Sequence, residues 1–187
     1  GGIGTTVDGE KFTFDYDLPN ETAYAETCAA IGLLFFSFRK VNLEKDSRYS
    51  DLMERLLYSG ILSGVSLDGT KFFYSNPLSV YPEAKKKAHG HIAPTRQEWF
   101  ETSCCPPNIA RLLASLGSYI YSTDKEAIYT HLYIAGEVRT EIDGVPVTLS
   151  QKSNYPWDST IDFKVTPDSA GSFKIGRAHV CTPVTDR

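Results

Sequence analysis

Apolar positions along the chain change period twice. Tyr49, Leu52, Met53, Leu56, Leu57 and Ile61 fall at i, i+3, i+4, i+7, i+8 and i+12, the stripe of a helix with one buried face. This helix follows Asp46 and stops between Gly60 and Gly64. A denser segment precedes it. Ile31, Leu33, Leu34, Phe35, Phe36 and Phe38 are apolar nearly all round, which predicts a helix buried on more than one face and ending near Asn42. Its start is open: Asn20 can cap it, and a start near Glu26 fits equally. Ile109, Leu112, Leu113, Leu116 and Ile120 predict a third helix over about 107–121. Beyond Thr123 the pattern becomes short and β-branched, in AIYTHLYI, GEVRTEI, VPVTLSQ and STIDFKV. Asp68-Gly69 and Asp143-Gly144 read as tight hairpin turns. Helices therefore come first and strands second, which predicts two domains meeting near residue 123.

Other stretches carry less pattern. Residues 1–19 are irregular, and residues 77–101 form a long polar connection of the kind that is functional or mobile. The chain begins Gly-Gly-Ile-Gly without Met, which reads as a fragment whose start lies upstream. No helix follows those glycines at once, so a phosphate-cradling loop is not indicated. From Ile175 the sequence IGRAHVCTPVTDR has no apolar period and follows a Gly-Ser turn. It resembles the translation of a common sequencing-adapter oligonucleotide, and residues 175–187 are read as a non-native tail.

Composition narrows the classes of function. The 187 residues are 41% hydrophobic and 22% charged, with a net charge of −4. That balance offers no footprint for nucleic acid or an anionic membrane. The one basic run, Lys85 to Lys87, reads as a solvated loop. No apolar run approaches the roughly 20 residues of a membrane span.

Chemistry gathers at the cysteines. Four in 187 residues do not make a disulfide scaffold, and adjacent cysteines rarely bridge each other. With Cys181 in the tail, Cys28, Cys104 and Cys105 remain. Glu26 stands two residues before Cys28 in AETC. One carboxylate and three thiolates suit a four-coordinate zinc site. On a regular helix Glu26 and Cys28 would lie about 200° apart, so both bind one ion only from a loop or a first turn. Pro106 and Pro107 put Cys104 and Cys105 at a helix N-terminus, where the dipole favours thiolate. Pro106 also biases Cys105 toward an extended backbone. Spacing alone leaves three readings open: a catalytic thiol with zinc, a structural zinc staple, and reduced core cysteines without metal. CC is not CxxC, so a thioredoxin-like pair is not indicated. His89 and His91 could hold a metal, but they lie in the polar connection.

Several blocks occur in a telling order: VDGEKFTF, FTFDYDLPN, AETCA, MERLLYSGILSGVSLDGTKFFYSNPL, EWF and CCPPNIARL. Together they resemble the β-L-arabinofuranosidases of glycoside hydrolase family 127, over roughly residues 1–174. Asp8 stands where that family's first block leads one to expect His. The resemblance implies an (α/α)6-barrel catalytic domain followed by a β-sandwich. Residues 1–123 would then be the last part of the barrel, with about three of its twelve helices, and residues 124–174 the start of the sandwich. It implies a retaining hydrolase of terminal β-L-arabinofuranosides, as found on plant glycans, inactive as this fragment alone. Glu10 would be the acid/base and Cys104 the nucleophile. Glu26, Cys28, Cys104 and Cys105 would bind Zn2+, and Glu54 and Tyr74 would line the sugar pocket. A hydrolase of another plant-wall sugar, and a non-catalytic zinc module joined to a carbohydrate-binding β-domain, are the alternatives. Reduced thiols point to the cytoplasm.

Overall fold

A computed structural model describes residues 11–17, 19–20, 23–76, 78–80, 91–102 and 104–177, and the backbone of 182–185. Glu10, Asp8, the leading glycines, Lys85 to Lys87, His89, His179 and Cys181 lie outside the described residues. Helices come first and two small sheets follow. The chain divides into two compact units, one drawn from residues 1–36 and 52–114, the other from 37–51 and 115–187. Among the described residues no helix is long and apolar enough to cross a membrane.

Helix α1 spans Thr27–Glu44, which selects the later of the two starts. One stripe, Ala30, Ile31, Leu34, Ser37 and Val41, is buried, while Phe36 and Leu43 are exposed. The expected burial on several faces is thus not met among the described residues. Helix α2 spans Ser47–Arg55. Asp46 caps it, its carboxylate accepting the Arg48 amide at 2.9 Å, which satisfies one of the orphan donors of a first turn. The chain then widens into a π-helical turn over Leu56–Ile61 and tightens into a 3-10 turn over Leu62–Gly64. Met53, Leu57 and Ile61 of the sequence stripe are buried.

Helix α3 spans Cys105–Ala114, starting two residues earlier and ending well short of the expected 121. Its prolines occupy the second and third helical positions, where amides have no intrahelical acceptor and none is missed. Cys105 is therefore helical rather than extended. The α-helix stops at Ser115, whose φ of −107° and ψ of 6° lead into a 3-10 turn over Leu116–Tyr119.

In the first unit Tyr24, Phe72, Tyr74, Ile92, Ala93, Phe100 and Cys105 form a buried cluster, with Cys28 packed against it. Each large apolar side chain so buried contributes about 1.5–3 kcal/mol. Three of these residues come from the connection expected to be polar and loosely held. Gln97 and Phe72 exchange both backbone hydrogen bonds at 2.9 Å, and that pairing draws the segment onto the core.

The second unit carries the strands β1 Tyr121–Thr123, β2 Ala127–Thr130, β3 Gly136–Ile142, β4 Val145–Ser153, β5 Ile161–Pro167, β6 Ser172–Gly176 and β7 Thr182–Thr185. Their orders are β1-β2-β6-β7 and β3-β4-β5. Asp143 and Gly144 both take positive φ, 49° and 79°, as a type I′ turn between β3 and β4 requires. Ile128, Ile142, Val147, Leu149, Phe173 and Ile175 form its apolar cluster.

Ile175, the first residue of the stretch read as a tail, lies within a strand. It is buried in β6 and aligns with Ile128 of the parallel neighbour β2. The Gly-Ser step leads into the strand, and Phe173 and Ile175 face inward with Lys174 exposed between them. An alternation of only three positions offers no period to detect. The backbone of β7 pairs with β6 in turn.

Candidate metal and thiol site

Glu26, Cys28, Cys104 and Cys105 come together, each offering one donor atom, and all four atoms lie within 4.8 Å of one another. Two local structures bring this about. Residues 25–27 run antiparallel to residues 74–76: Glu26 bridges Ser75, the Thr27 amide donates to the Tyr74 carbonyl at 3.0 Å, and the Asn76 amide donates to the Ala25 carbonyl at 2.8 Å. Glu26 is thus extended while Cys28 sits in the first turn of α1, which removes the angular conflict of a continuous helix. At the other element, the Cys104 carbonyl accepts the Asn108 amide at 3.3 Å, so Cys104 caps α3 and Cys105 begins it.

Asn76 locks the arrangement. Its side-chain amide donates to Thr27 Oγ1 at 3.1 Å and to the Gly60 carbonyl at 3.0 Å. Thr27 Oγ1 in turn donates to the Phe73 carbonyl at 3.0 Å. Gly64 leaves the room for this: a Cβ there would meet Asn76 Oδ1 at 2.5 Å.

The donor set fits a tetrahedral ion. Zinc–sulfur bonds of about 2.3 Å imply sulfur–sulfur edges of about 3.7 Å, and a carboxylate oxygen a sulfur–oxygen edge of about 3.5 Å. Cys28 Sγ lies 3.2 Å from Cys104 Sγ and 3.5 Å from Cys105 Sγ, and the latter two are 3.9 Å apart. Cys104 Sγ is 3.5 Å from Glu26 Oε1. All three cysteines are free thiols, with sulfurs far beyond a disulfide bond length of about 2.05 Å. These residues could hold a metal ion.

Burial outweighs the helix dipole at two of the thiols, contrary to the expectation of a ready thiolate at the helix start. Desolvation pushes Cys28 up to about 11 and raises Cys105 further. A cation bound by this group would ionise them. Glu26 and Cys105 are buried and Cys28 is half-buried, whereas Cys104 is exposed. The most exposed cysteine of the group is therefore the one whose sulfur is also in reach of the carboxylate.

Tyr74 belongs to the same place. It is buried, and its hydroxyl lies 2.9 Å from Cys104 Sγ; burial first, then the Cys104 contact, raises its pKa. Glu54 is half-buried on α2, outside the four-residue group. Sequence reasoning missed His91 as a neighbour. Its ring stacks on Tyr74, centroids 4.0 Å apart, and its Nδ1 is 2.8 Å from the Tyr24 hydroxyl.

A helical unit presenting three thiols and a carboxylate, in a chain that continues into two small sheets, narrows the class. The profile of the β-L-arabinofuranosidase GH127 catalytic domain matches residues 1–118, and that of the GH127 middle domain matches residues 127–177. The chain belongs to glycoside hydrolase family 127. It is 40% identical over 175 residues to the non-reducing end β-L-arabinofuranosidase of Bifidobacterium longum subsp. longum, covering 91% of this chain and 26% of that protein. A solved GH127 β-L-arabinofuranosidase from Geobacillus stearothermophilus T6 matches with a TM-score of 0.87 and 53% identity, over 94% of this chain and 28% of that one. A second solved GH127 β-arabinofuranosidase matches with a TM-score of 0.79 and 39% identity, over 93% and 26%. The chain thus spans about a quarter of the length of these relatives.

Proposed function

We propose that this chain is the part of a retaining β-L-arabinofuranosidase that carries the reacting thiol. The observation that supports this most is Cys104, the exposed residue of the group, its sulfur set among Glu26, Cys28 and Cys105 and touched by the Tyr74 hydroxyl. In this reading the first unit is the end of an (α/α)6 barrel, and the strands begin a β-sandwich.

Glu26, Cys28, Cys104 and Cys105 would hold zinc, which supplies the positive charge that keeps buried thiols ionised at neutral pH. Glu10 protonates the leaving glycosidic oxygen while the Cys104 sulfur attacks the anomeric carbon. The carbon–oxygen bond breaks and a carbon–sulfur bond forms. Glu10 then takes a proton from water, whose oxygen displaces the sulfur and releases arabinofuranose with its configuration retained. Tyr74 and Glu54 contact the sugar. Substrates are terminal β-L-arabinofuranosides of plant glycans, and the thiols suit a cytoplasmic setting.

The test uses the full-length enzyme that carries these residues, with an aryl β-L-arabinofuranoside followed by proton NMR. The expected first product is the β-anomer, with turnover lost in Cys104→Ser and Glu10→Gln by about 10³-fold or more. An α-anomer as first product, or a Cys104→Ser enzyme as fast as the parent, overturns the reading. Zinc held by an enzyme indifferent to Cys104→Ser would instead mark the site as a structural staple.

A further inference from the structure

Tyr74 is held from two directions. His91 lies against its ring with an interplanar angle of 21° and centroids 4.0 Å apart, and Phe100 meets it edge-on at 5.7 Å. His91 is itself anchored, because Tyr24, only 4% exposed, places its hydroxyl 2.8 Å from Nδ1. Tyr24 stands two residues before Glu26, next to the segment 25–27 that pairs with residues 74–76. One short stretch of chain thus supplies the carboxylate and fixes the imidazole that fixes the phenol.

We propose that His91 is a positioning residue for the Cys104 sulfur, acting through Tyr74: its stacked ring sets the plane of the phenol, and the phenol's hydroxyl aims the sulfur. This rests on the reading of Cys104 as the reacting thiol. A thiolate carries no proton, so toward it only the phenol can donate. That hydrogen bond stabilises the sulfur's charge and fixes one of its lone-pair directions. A phenol free to turn would lose both effects. The His91 nitrogen that faces Tyr24 is engaged there, and His91 stands outside the four-residue donor group, so its ring serves the site as a wall.

The test is the rate at which iodoacetamide alkylates each cysteine, read peptide by peptide by mass spectrometry at one fixed pH. It is run on the full chain with zinc and again with a chelator. In the zinc-loaded chain, where the metal keeps the sulfur ionised, loss of the donor should make Cys104 more nucleophilic, so Tyr74→Phe and His91→Ala each raise its rate there about five-fold. The double variant should be no faster than either single one, while Cys28 and Cys105 keep their parent rates. His91→Phe keeps the stacking ring and should label like the parent. Additive effects, an unchanged Cys104 rate in His91→Ala, equal acceleration at all three cysteines, or a His91→Phe variant that behaves like His91→Ala would each overturn the proposal. Zinc per chain is measured in the same samples. A parent that holds no zinc defeats the metal reading above; in the chelated series the role of His91 then stands if Tyr74→Phe and His91→Ala change the Cys104 rate equally, in either direction, and His91→Phe does not.

Discussion

Asn76 and Gly64 share one space: the asparagine oxygen occupies the position that a Cβ on residue 64 would need, 2.5 Å away. The same asparagine ties Thr27 to Gly60, so the room left by a missing side chain sets the start of α1 and, through it, the spacing of Glu26 and Cys28.

Gly64→Ala should therefore damage the donor site from a distance. The intruding methyl displaces Asn76 and leaves buried partners of its two hydrogen bonds unmatched, at a cost of about 1–3 kcal/mol. Asn76→Ala should cost about the same, and the two together little more than either, because they break one contact. Urea denaturation of the four proteins measures this. Full additivity would count against the shared contact.

Metal affinity should depend steeply on pH. Cys28, held up to about 11, and Cys105, raised further still, both keep their protons at neutral pH, and an ion must displace them. Displacing these two protons alone makes affinity rise by about two decades per pH unit between pH 6 and 8, and any proton displaced from a third thiol steepens the slope. Competition with a chromogenic chelator across that range reads the slope, and a flat profile would show that the thiols are not ligands. Without metal the sign reverses. The unfolded thiol ionises near its ordinary 9.0 and the folded Cys28 only near 11, so stability of the metal-free chain should fall as pH rises through that interval.

The second unit carries its own acid sensitivity. His131 is buried between Ser50 Oγ, 3.0 Å from Nδ1, and Ser122 Oγ, 2.7 Å from Nε2. Burial first, and then Arg177, lowers its pKa from 6.5 to about 4. The unfolded chain takes up this proton near pH 6.5 and the folded chain only near pH 4, so stability is full above the higher value. It should fall by about 3 kcal/mol as pH drops between the two. His131→Gln should remove that part of the slope in urea midpoints measured from pH 7 to 4. An identical slope would assign the acid sensitivity to other groups.

The β3–β4 turn makes a simpler demand. Gly144 has φ of 79°, and Gly144→Ala should cost about 1–2 kcal/mol through the left-handed backbone alone, since nothing stands within 4 Å of the added carbon. Thermal unfolding measures the loss. An unchanged midpoint would mean that the turn relaxes.

What the sequence made legible followed from local rules. The start of α2 after Asp46, Asp143-Gly144 as a turn and the stripe of Met53, Leu57 and Ile61 depend on residues within a few positions of each other. The convergence of AETC with the CCPP helix start was also readable, because cysteine spacing limits how one ion can be reached. Features made by distant pairing were not. Ile175 is buried only because β6 lies beside β2, and Ile92 and Phe100 only because Gln97 pairs with Phe72. The depressed thiol pKa failed for the same reason. The helix dipole is visible in the CCPP motif, whereas the desolvation that outweighs it at Cys105 depends on a core assembled from Tyr24, Phe72 and Phe100.

The most direct test of the account is zinc per chain, by elemental analysis of protein purified under reducing conditions and shown to be folded by circular dichroism. The account predicts about one zinc per chain, released by chelation with the appearance of reactive thiols, and held more weakly by Cys104→Ser. A folded chain without zinc, its thiols equally reactive before and after chelation, would contradict it.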